Sequence, residues 1–573
     1  MKRTLALLLV FGLLLGLLAG CAAPAEDEDT IDMAPFDQLE YARPDLDAAL
    51  QHIEAAREAV RALEDAGIFR KNKLLKAATE ALDVCFDDYD HLETMETLAM
   101  IRSDLDVTDD YYAGEYGWCS DADVTLYAAL EELMTDCAAS DAGELLEDRY
   151  FGADYLEAYG EDYVISEELT ALRRRENELV TKYFTAVNRV GVTIDGTFYN
   201  MSALTNAMDA GTLGISESEA YERYYSAVNA ELGALYIDLV RTRRALAAQM
   251  GYDSYQEMAY DENGYDYDLP EVAAYTAAIR ETLAPLYTRA HDSGTLRKAY
   301  NAPGEQETDV SLRAVETLAT ALGGDFADAM EFMKTYDLYD VSKSSLKSPD
   351  SYEIYLTDWE APYLFTDSEG YAEDVLIIAH EFGHYTDDFV YYGAGHGTDV
   401  SEALSQGMEY LSLCYLPDND LRRALTDWKL ADVLQLYVEQ GSFNAFEERV
   451  YALPDDELTL ENVNRIALQT VRDFADESGY GAAVDAMSWV TISHFFEAPF
   501  YILSYLTSDS AAIQFYEQEL KQEGAGLDLY KQILEDADDY SFTELMENNG
   551  LRNPLSAEQI TAIADLMQKE LLK

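Results

Sequence analysis

The chain has 573 residues, 49% of them apolar, which is too long for one small core and too apolar for a disordered protein, so two or more lobes are expected. Its 39 Lys and Arg against 111 Asp and Glu give a formal charge of −72, which repels nucleic acid and anionic lipid headgroups and speeds encounter with cationic peptides. The same charge also keeps an exported protein soluble or suits a salty habitat, so it identifies no partner by itself.

The first residues, Met1-Lys2-Arg3, are basic, Leu5 to Leu18 run apolar, and Ala19-Gly20 precede Cys21. That is the layout of a secretory signal and is too short for a spanning helix. The ending Leu18-Ala19-Gly20-Cys21 resembles a bacterial lipobox. It implies cleavage before Cys21, a diacylglycerol on its thiol, and an exported lipoprotein anchored to the membrane on its extracytoplasmic side; an uncleaved anchor is the alternative. Residues 1–20 are thus read as leader and 21–44, acidic and punctuated by Pro35 and Pro44, as a solvated tether. Cys85, Cys119, Cys137 and Cys414 have no zinc-finger spacing; export allows one bridge among the first three, with no connectivity legible.

From Leu46 the apolar positions Leu46, Leu50, Ile53, Val60 and Leu63, with Ala56 between, predict a helix, and Leu169, Leu172, Leu179, Tyr183, Val187 and Val190 repeat the period. Prolines are scarce and no long alternating run occurs, so the fold is mostly all-α. Three short stretches interrupt it. Val192 to Tyr199, centred on Asp195-Gly196, predicts a hairpin, and Ser351–Thr357 and Ala361–Thr366 predict two strands of a small β-sheet. Strands beside a binding cleft can pair with the backbone of a peptide; a purely structural sheet reads the same. A boundary near 195 separates an N-terminal helical lobe, 45–195, from the region 196–573. The stretch 45–165 carries no chemical signal.

Ala379-His380-Glu381-Phe382-Gly383-His384 follows an apolar helical run. Residues four apart share a helix face, so both imidazoles can face one ion, and zinc asks for a third protein ligand and leaves a fourth position to water. Glu381, rotated off the two histidines, can reach that water and take its proton. With only 7 histidines in the chain, two satisfied core histidines at this spacing are the weaker reading. Downstream, Glu402 and Glu409 are seven apart on one predicted helix. Either can supply the third ligand, the other then orienting a histidine from behind. His396 lies in a Gly-rich loop and reads as solvated, or as a substrate contact. Asp387 and Asp388 read as surface acids, or as acceptors for the free ring nitrogen of His384. His52, His91 and His291 look ordinary.

The segment Leu356 to Tyr410 resembles the thimet oligopeptidase and oligoendopeptidase F family of zinc peptidases. The likeness lies in Ala361-Pro-Tyr-Leu-Phe365, Glu373-Asp-Val-Leu-Ile-Ile-Ala-His380-Glu-Phe-Gly-His384 and Ser401-Glu402-Ala-Leu-Ser405-Gln-Gly-Met-Glu409. Weaker likeness appears in Gly196-Thr-Phe-Tyr199 with Ser202 and Leu204, Arg241-Thr-Arg243 with Gly251-Tyr-Asp-Ser-Tyr255, Phe443-Asn-Ala-Phe-Glu447 and Gly550-Leu-Arg-Asn-Pro554, so it spans roughly 165 to the end. The resemblance implies a two-lobed helical zincin with a deep central channel, one Zn2+ held by His380, His384 and Glu402, Glu381 as general base, and oligopeptide substrates. Two departures stand out: the loop before Glu402 is several residues shorter than in the family, and Asp387 replaces a further histidine.

Trp489 to Tyr505 carries His494, Tyr501 and Tyr505. In a chain with 43 tyrosines these read first as core packing. The resemblance implies instead that His494, Tyr501 and Tyr505 bind substrate or the oxyanion. Two rival functions share parts of this pattern: a non-catalytic peptide-binding lipoprotein, and a zinc-dependent amidase acting on non-peptide substrates.

Overall fold

Ala49, Ile53, Ala56, Val60 and Leu63 line one face of the helix Leu46–Glu64 at helical spacing, and that face is buried against the helices Lys71–Leu105 and Asp110–Ala139. Asp109 starts the third of these by accepting the amides of Tyr111 and Tyr112. In the computed structural model, which describes residues 33–64, 70–152, 155–159, 167–187, 189–393, 396–416, 419–475, 486–537 and 540–572, these helices form a core of their own that closes at Tyr159.

The acidic stretch expected to stay solvated through residue 44 does so only in part. Phe36 and Leu39 are buried, the Phe36 amide donates to the Tyr336 carbonyl at 2.8 Å, and its ring lies 4.3 Å from that of Tyr363. Two large apolar side chains ahead of the helix are enough to pull the chain onto the core. The signal and lipobox, residues 1–21, fall outside the described residues. Among the described residues no helix is long and apolar enough to cross a membrane, and Cys85, Cys119, Cys137 and Cys414 are free thiols.

The hairpin forms as the Asp-Gly signal predicts. Strands β1 (Val192–Ile194) and β2 (Thr197–Tyr199) pair antiparallel around Asp195 and Gly196, both at positive φ. It packs with the helices Glu167–Val187 and Glu217–Met250 and with side chains from 446–467 and 489–502 in a second core. The helix before the hairpin therefore shares its core with the C-terminal half, and the sequence boundary at 195 falls inside this unit: Leu179 and Tyr183 pack with Tyr236 and Phe496, not with the first three helices.

The second sheet has the order β3 (Tyr339–Asp340), β5 (Ala361–Thr366), β4 (Ser351–Leu356), with β4 antiparallel and β3 parallel to β5. Every residue of β5 is buried, which explains its unbroken apolar run. Pro362 is tolerated because β3 reaches only Leu364 and Phe365, so no ladder bond is lost at the proline. The sheet lies against the helix Asp374–Tyr391, the start of the third and largest core. The fold is mostly helical, with these two small sheets.

Candidate metal centre

Asp374 fixes where the histidine helix, Asp374–Tyr391, begins: its buried carboxylate accepts the amides of Glu369, Gly370 and Tyr371 at 3.1, 2.8 and 3.2 Å. The glutamate helix, Thr398–Tyr415, crosses it at Gly383, where a β-carbon would come within 2.6 Å of the Ser405 α-carbon. Only glycine permits that approach. It brings one donor atom each of His380, His384 and Glu402 within 4.8 Å of one another, with His380 Nε2 3.6 Å from Glu402 Oε2.

Of the two glutamates that spacing leaves open, Glu402 is the one that joins this group. Glu409 does not face the cluster but sits behind it, its Oε1 3.0 Å from His380 Nδ1 and its Oε2 2.7 Å from the Lys429 ammonium. Burial works against the charge of Glu409, yet Lys429 and His380 hold its pKa below the ordinary carboxylate range. An ionised carboxylate only accepts, so His380 carries its proton on Nδ1 and turns Nε2 toward Glu402. His384 Nδ1 likewise meets the Ser401 hydroxyl at 3.1 Å.

The donor set suits zinc: two imidazoles and a carboxylate, nitrogen and oxygen ligands of the kind that ion takes, with the outer nitrogens already partnered. The electrostatics agree. Although burial disfavours its cationic form, His380 is pushed up to about 9 by the carboxylates of Glu409, Glu381 and Glu402. This buried site, three carboxylates against one lysine, attracts a cation. His384 moves the other way, driven well below its usual value by burial and by His380. Glu381 is 6% exposed, and burial raises it to about 7, while the Glu353 amide of β4 donates to its carboxylate.

Opposite the histidine helix, the helix Ile502–Lys521 and the short turn before it present His494, Tyr501 and Tyr505 as one group. His494 Nε2 lies 3.4 Å from the Tyr505 hydroxyl, and the ring centroids of Tyr501 and Tyr505 are 5.4 Å apart. Burial and then the charge of Glu402 raise the pKa of both tyrosines, and burial lowers that of His494, so all three are neutral at neutral pH. The buried Tyr501 hydroxyl meets no partner in bonding geometry. Asp399 ties this helix to the glutamate helix by accepting from Ser504 and, at 3.0 Å, from Thr507.

Two sequence expectations change. His396 is not a solvated loop residue: its side chain is 1% exposed and its Nε2 is 2.9 Å from the Asp387 carboxylate, which is itself buried. Asp387 therefore serves His396, and Ser401 takes the ring nitrogen of His384 for which the aspartates were candidates. Asp388 is also no surface acid; burial and then Asp387 raise it to about 7, and it shares a hydrogen bond with the Glu353 carboxyl. Lys429 went unnoticed in the sequence although a signal existed, since Leu425, Lys429 and Val433 share one otherwise apolar helix face. His52, His91 and His291 pair with exposed or half-exposed aspartates away from the site.

Two apolar-rich helices crossing at a glycine, with His-Glu-x-x-His on one and a glutamate on the other, define the arrangement of a zinc-peptidase-like centre. Residues 36–153, most of them in the stretch 45–165 that carries no chemical signal in the sequence, match the family model for the Peptidase M3 N-terminal domain. The fold is similar to a protein provisionally named oligoendopeptidase F (19% identity, TM-score 0.74, 94% of this chain and 99% of that one) and to PZ peptidase A solved with an inhibitor (17%, 0.73, 94% and 99%). A Bacillus anthracis protein provisionally named oligoendopeptidase F is similar at 19% identity and a TM-score of 0.70, over 94% of this chain and 98% of that one. No curated protein matches the chain in sequence. The chain thus has the fold of the M3 peptidases, as the resemblance in its sequence implies.

Proposed function

We propose that this protein is a zinc metallopeptidase that hydrolyses short peptides, in the manner of the oligoendopeptidases. The observation that carries the reading is the convergence of His380, His384 and Glu402 with Glu381 beside them. His380, His384 and Glu402 would hold the ion, and Glu409, Lys429 and Ser401 would fix the two imidazoles. Zinc bound there supplies a Lewis acid that polarises the scissile carbonyl and makes water acidic enough to react at neutral pH. Glu381, poised by burial near pH 7, accepts the proton of the attacking water and returns it to the departing amine. Tyr501, Tyr505 and neutral His494 donate hydrogen bonds to the oxygen on which negative charge develops. The unpaired edge of β4, whose Glu353 amide touches Glu381, offers a ladder for the peptide backbone. A channel between lobes that admits oligopeptides and excludes folded proteins rests on the family likeness, and anchoring through a lipid on Cys21 on the extracytoplasmic side rests on the sequence of the leader alone.

Metal analysis of the purified protein, followed by a peptide-library digest with and without a chelator, tests the reading. The expected result is zinc at one equivalent, cleavage of short peptides only, and loss of cleavage on chelation that added zinc restores. Glu381→Gln is expected to keep its zinc and lose about 10²-fold or more in turnover. Peptide binding without cleavage by the zinc-loaded protein would make it a binder, cleavage confined to non-peptide amides would make it an amidase, and undiminished turnover in the Gln variant would remove Glu381 from the role of base.

A further inference from the structure

Three stretches that share the family likeness have no place in the chemistry above: Arg241-Thr-Arg243, Gly251 to Tyr255, and Phe443 to Glu447. In the structure they converge on the backbone of the segment that bears His494 and Tyr501. Arg243, 1% exposed, donates to the carbonyls of Phe496 at 2.5 Å and Phe495 at 3.3 Å, and its Nε pairs with Glu176 at 2.7 Å. Its cation lies over the ring of Tyr255, which stacks on Tyr451. Glu447, fully buried, accepts the Phe500 amide at 3.0 Å, while its second oxygen is buried without a partner. From the other side the Tyr265 hydroxyl donates to the Phe500 carbonyl at 3.2 Å.

The residue gripped at both its amide and its carbonyl is an unusual one. Phe500 has φ +66°, a left-handed conformation that a phenylalanine keeps only where its surroundings over-determine it. That conformation falls at the junction between the turn carrying His494 and the helix that begins directly after Tyr501. The direction of the Tyr501 side chain follows from it, since Tyr501 is the next residue and its hydroxyl, though it lies beside Glu402 and Tyr505, meets neither in full bonding geometry.

We propose that Glu447 is a positioning residue: by accepting the Phe500 amide it locks Phe500 left-handed and so aims the Tyr501 hydroxyl at the reacting carbonyl. This rests on the reading of Tyr501 as an oxyanion donor. A carboxyl group that merely supported the fold would act on stability and on every step alike; one that acts through Tyr501 affects only what Tyr501 does.

A double-mutant cycle in the zinc-loaded full chain separates the two. Glu447→Ala is expected to lower kcat by about 10²-fold, the size of one lost oxyanion donor, with KM and zinc content nearly unchanged. Glu447→Gln, whose amide oxygen still accepts from Phe500, is expected to retain most of the rate. In a Tyr501→Phe background, Glu447→Ala is expected to cost little more; a full second loss there, or an unchanged kcat in Glu447→Ala alone, overturns the proposal. If Glu447→Ala does not fold, Tyr265→Phe removes the bond on the other side and is held to the same non-additivity with Tyr501→Phe. Should the wild-type protein cleave no peptide, the proposed function fails, and hydrogen exchange still decides the clamp: amides of residues 494–505 must exchange faster in Glu447→Ala or Tyr265→Phe and not in Glu447→Gln, and equal exchange in all of them refutes it.

Discussion

Glu402 and Glu409 lie on the same face of one helix, and what distinguishes them is their partners. Glu402 has a 3.3 Å contact from Ser405 and faces the imidazoles and Tyr501, whereas Glu409 has both oxygens engaged, one by His380 Nδ1 and one by Lys429. Glu402→Ala is accordingly expected to abolish stoichiometric zinc binding, and Glu409→Ala to weaken it about 10- to 100-fold by freeing the His380 ring. Zinc titration against a competing chelator measures both, and the opposite ranking would exchange their roles. At this scale the sequence was most informative where the chemistry is local. His380, Glu381 and His384 fall within one helical turn, so their geometry follows from their spacing. His396 with Asp387 and Lys429 with Glu409 are pairs made by folding, between residues nine and twenty apart with a loop between them, and no periodicity reports such a contact.

Helices and hairpins follow from patterns that repeat over a few residues, and these were legible: the apolar face of Leu46–Glu64, the Asp195-Gly196 turn, and the two strands just before the histidine helix. Strand β3 was not, because two residues paired in parallel to a strand more than twenty positions away leave no alternation to read. Nor was the placement of the helix before the hairpin, since an apolar face at helical spacing does not say which core it enters. The element contact on which the site depends is the crossing of the histidine and glutamate helices, and Gly383 is what allows it. A β-carbon there would sit 2.6 Å from the Ser405 α-carbon, 3.2 Å from the Leu404 carbonyl oxygen and 3.3 Å from Met408, two of them backbone atoms that cannot step aside. Gly383→Ala is expected to spread the two helices, costing about 1–3 kcal/mol of stability and separating Glu402 from the imidazoles. Thermal melts of the chelated protein would show the first effect and zinc titration the second; a variant that binds zinc as tightly as the wild type would mean that the crossing tolerates a wider gap than its contacts suggest.

The whole molecule carries a charge of −72 and also keeps many acids inside, and both facts bear on its stability in the same direction. Burial raises Glu93 to about 8, Glu96 to about 7, Asp399 to about 7, Glu447 to about 8, and Asp432 and Asp509 to about 6. Each of these groups holds its proton in the folded chain at a pH where the unfolded chain, with ordinary values near 4, has lost it. The folded state therefore binds more protons than the unfolded state between about pH 4 and 8, and stability falls as pH rises through that interval. Surface repulsion adds to the trend, since more carboxylates ionise as pH rises and salt screens only the exposed ones. Zinc opposes it, because imidazole ligands bind metal better once deprotonated. The chelated protein is thus the one to measure. Its melting temperature is expected to be highest near about pH 5 and to drop steadily toward about pH 8.5, with added salt raising the alkaline end more than the acid end and leaving a residual slope from the buried groups. Glu409 acts in the opposite sense, because Lys429 and His380 hold its carboxylate low and its contribution is lost only as pH falls below the ordinary carboxylate range. A melting temperature that climbed from pH 5 to 8.5 in the absence of metal would mean that the buried acids are ionised in the fold, each with a cationic or hydrogen-bonding partner strong enough to outweigh burial.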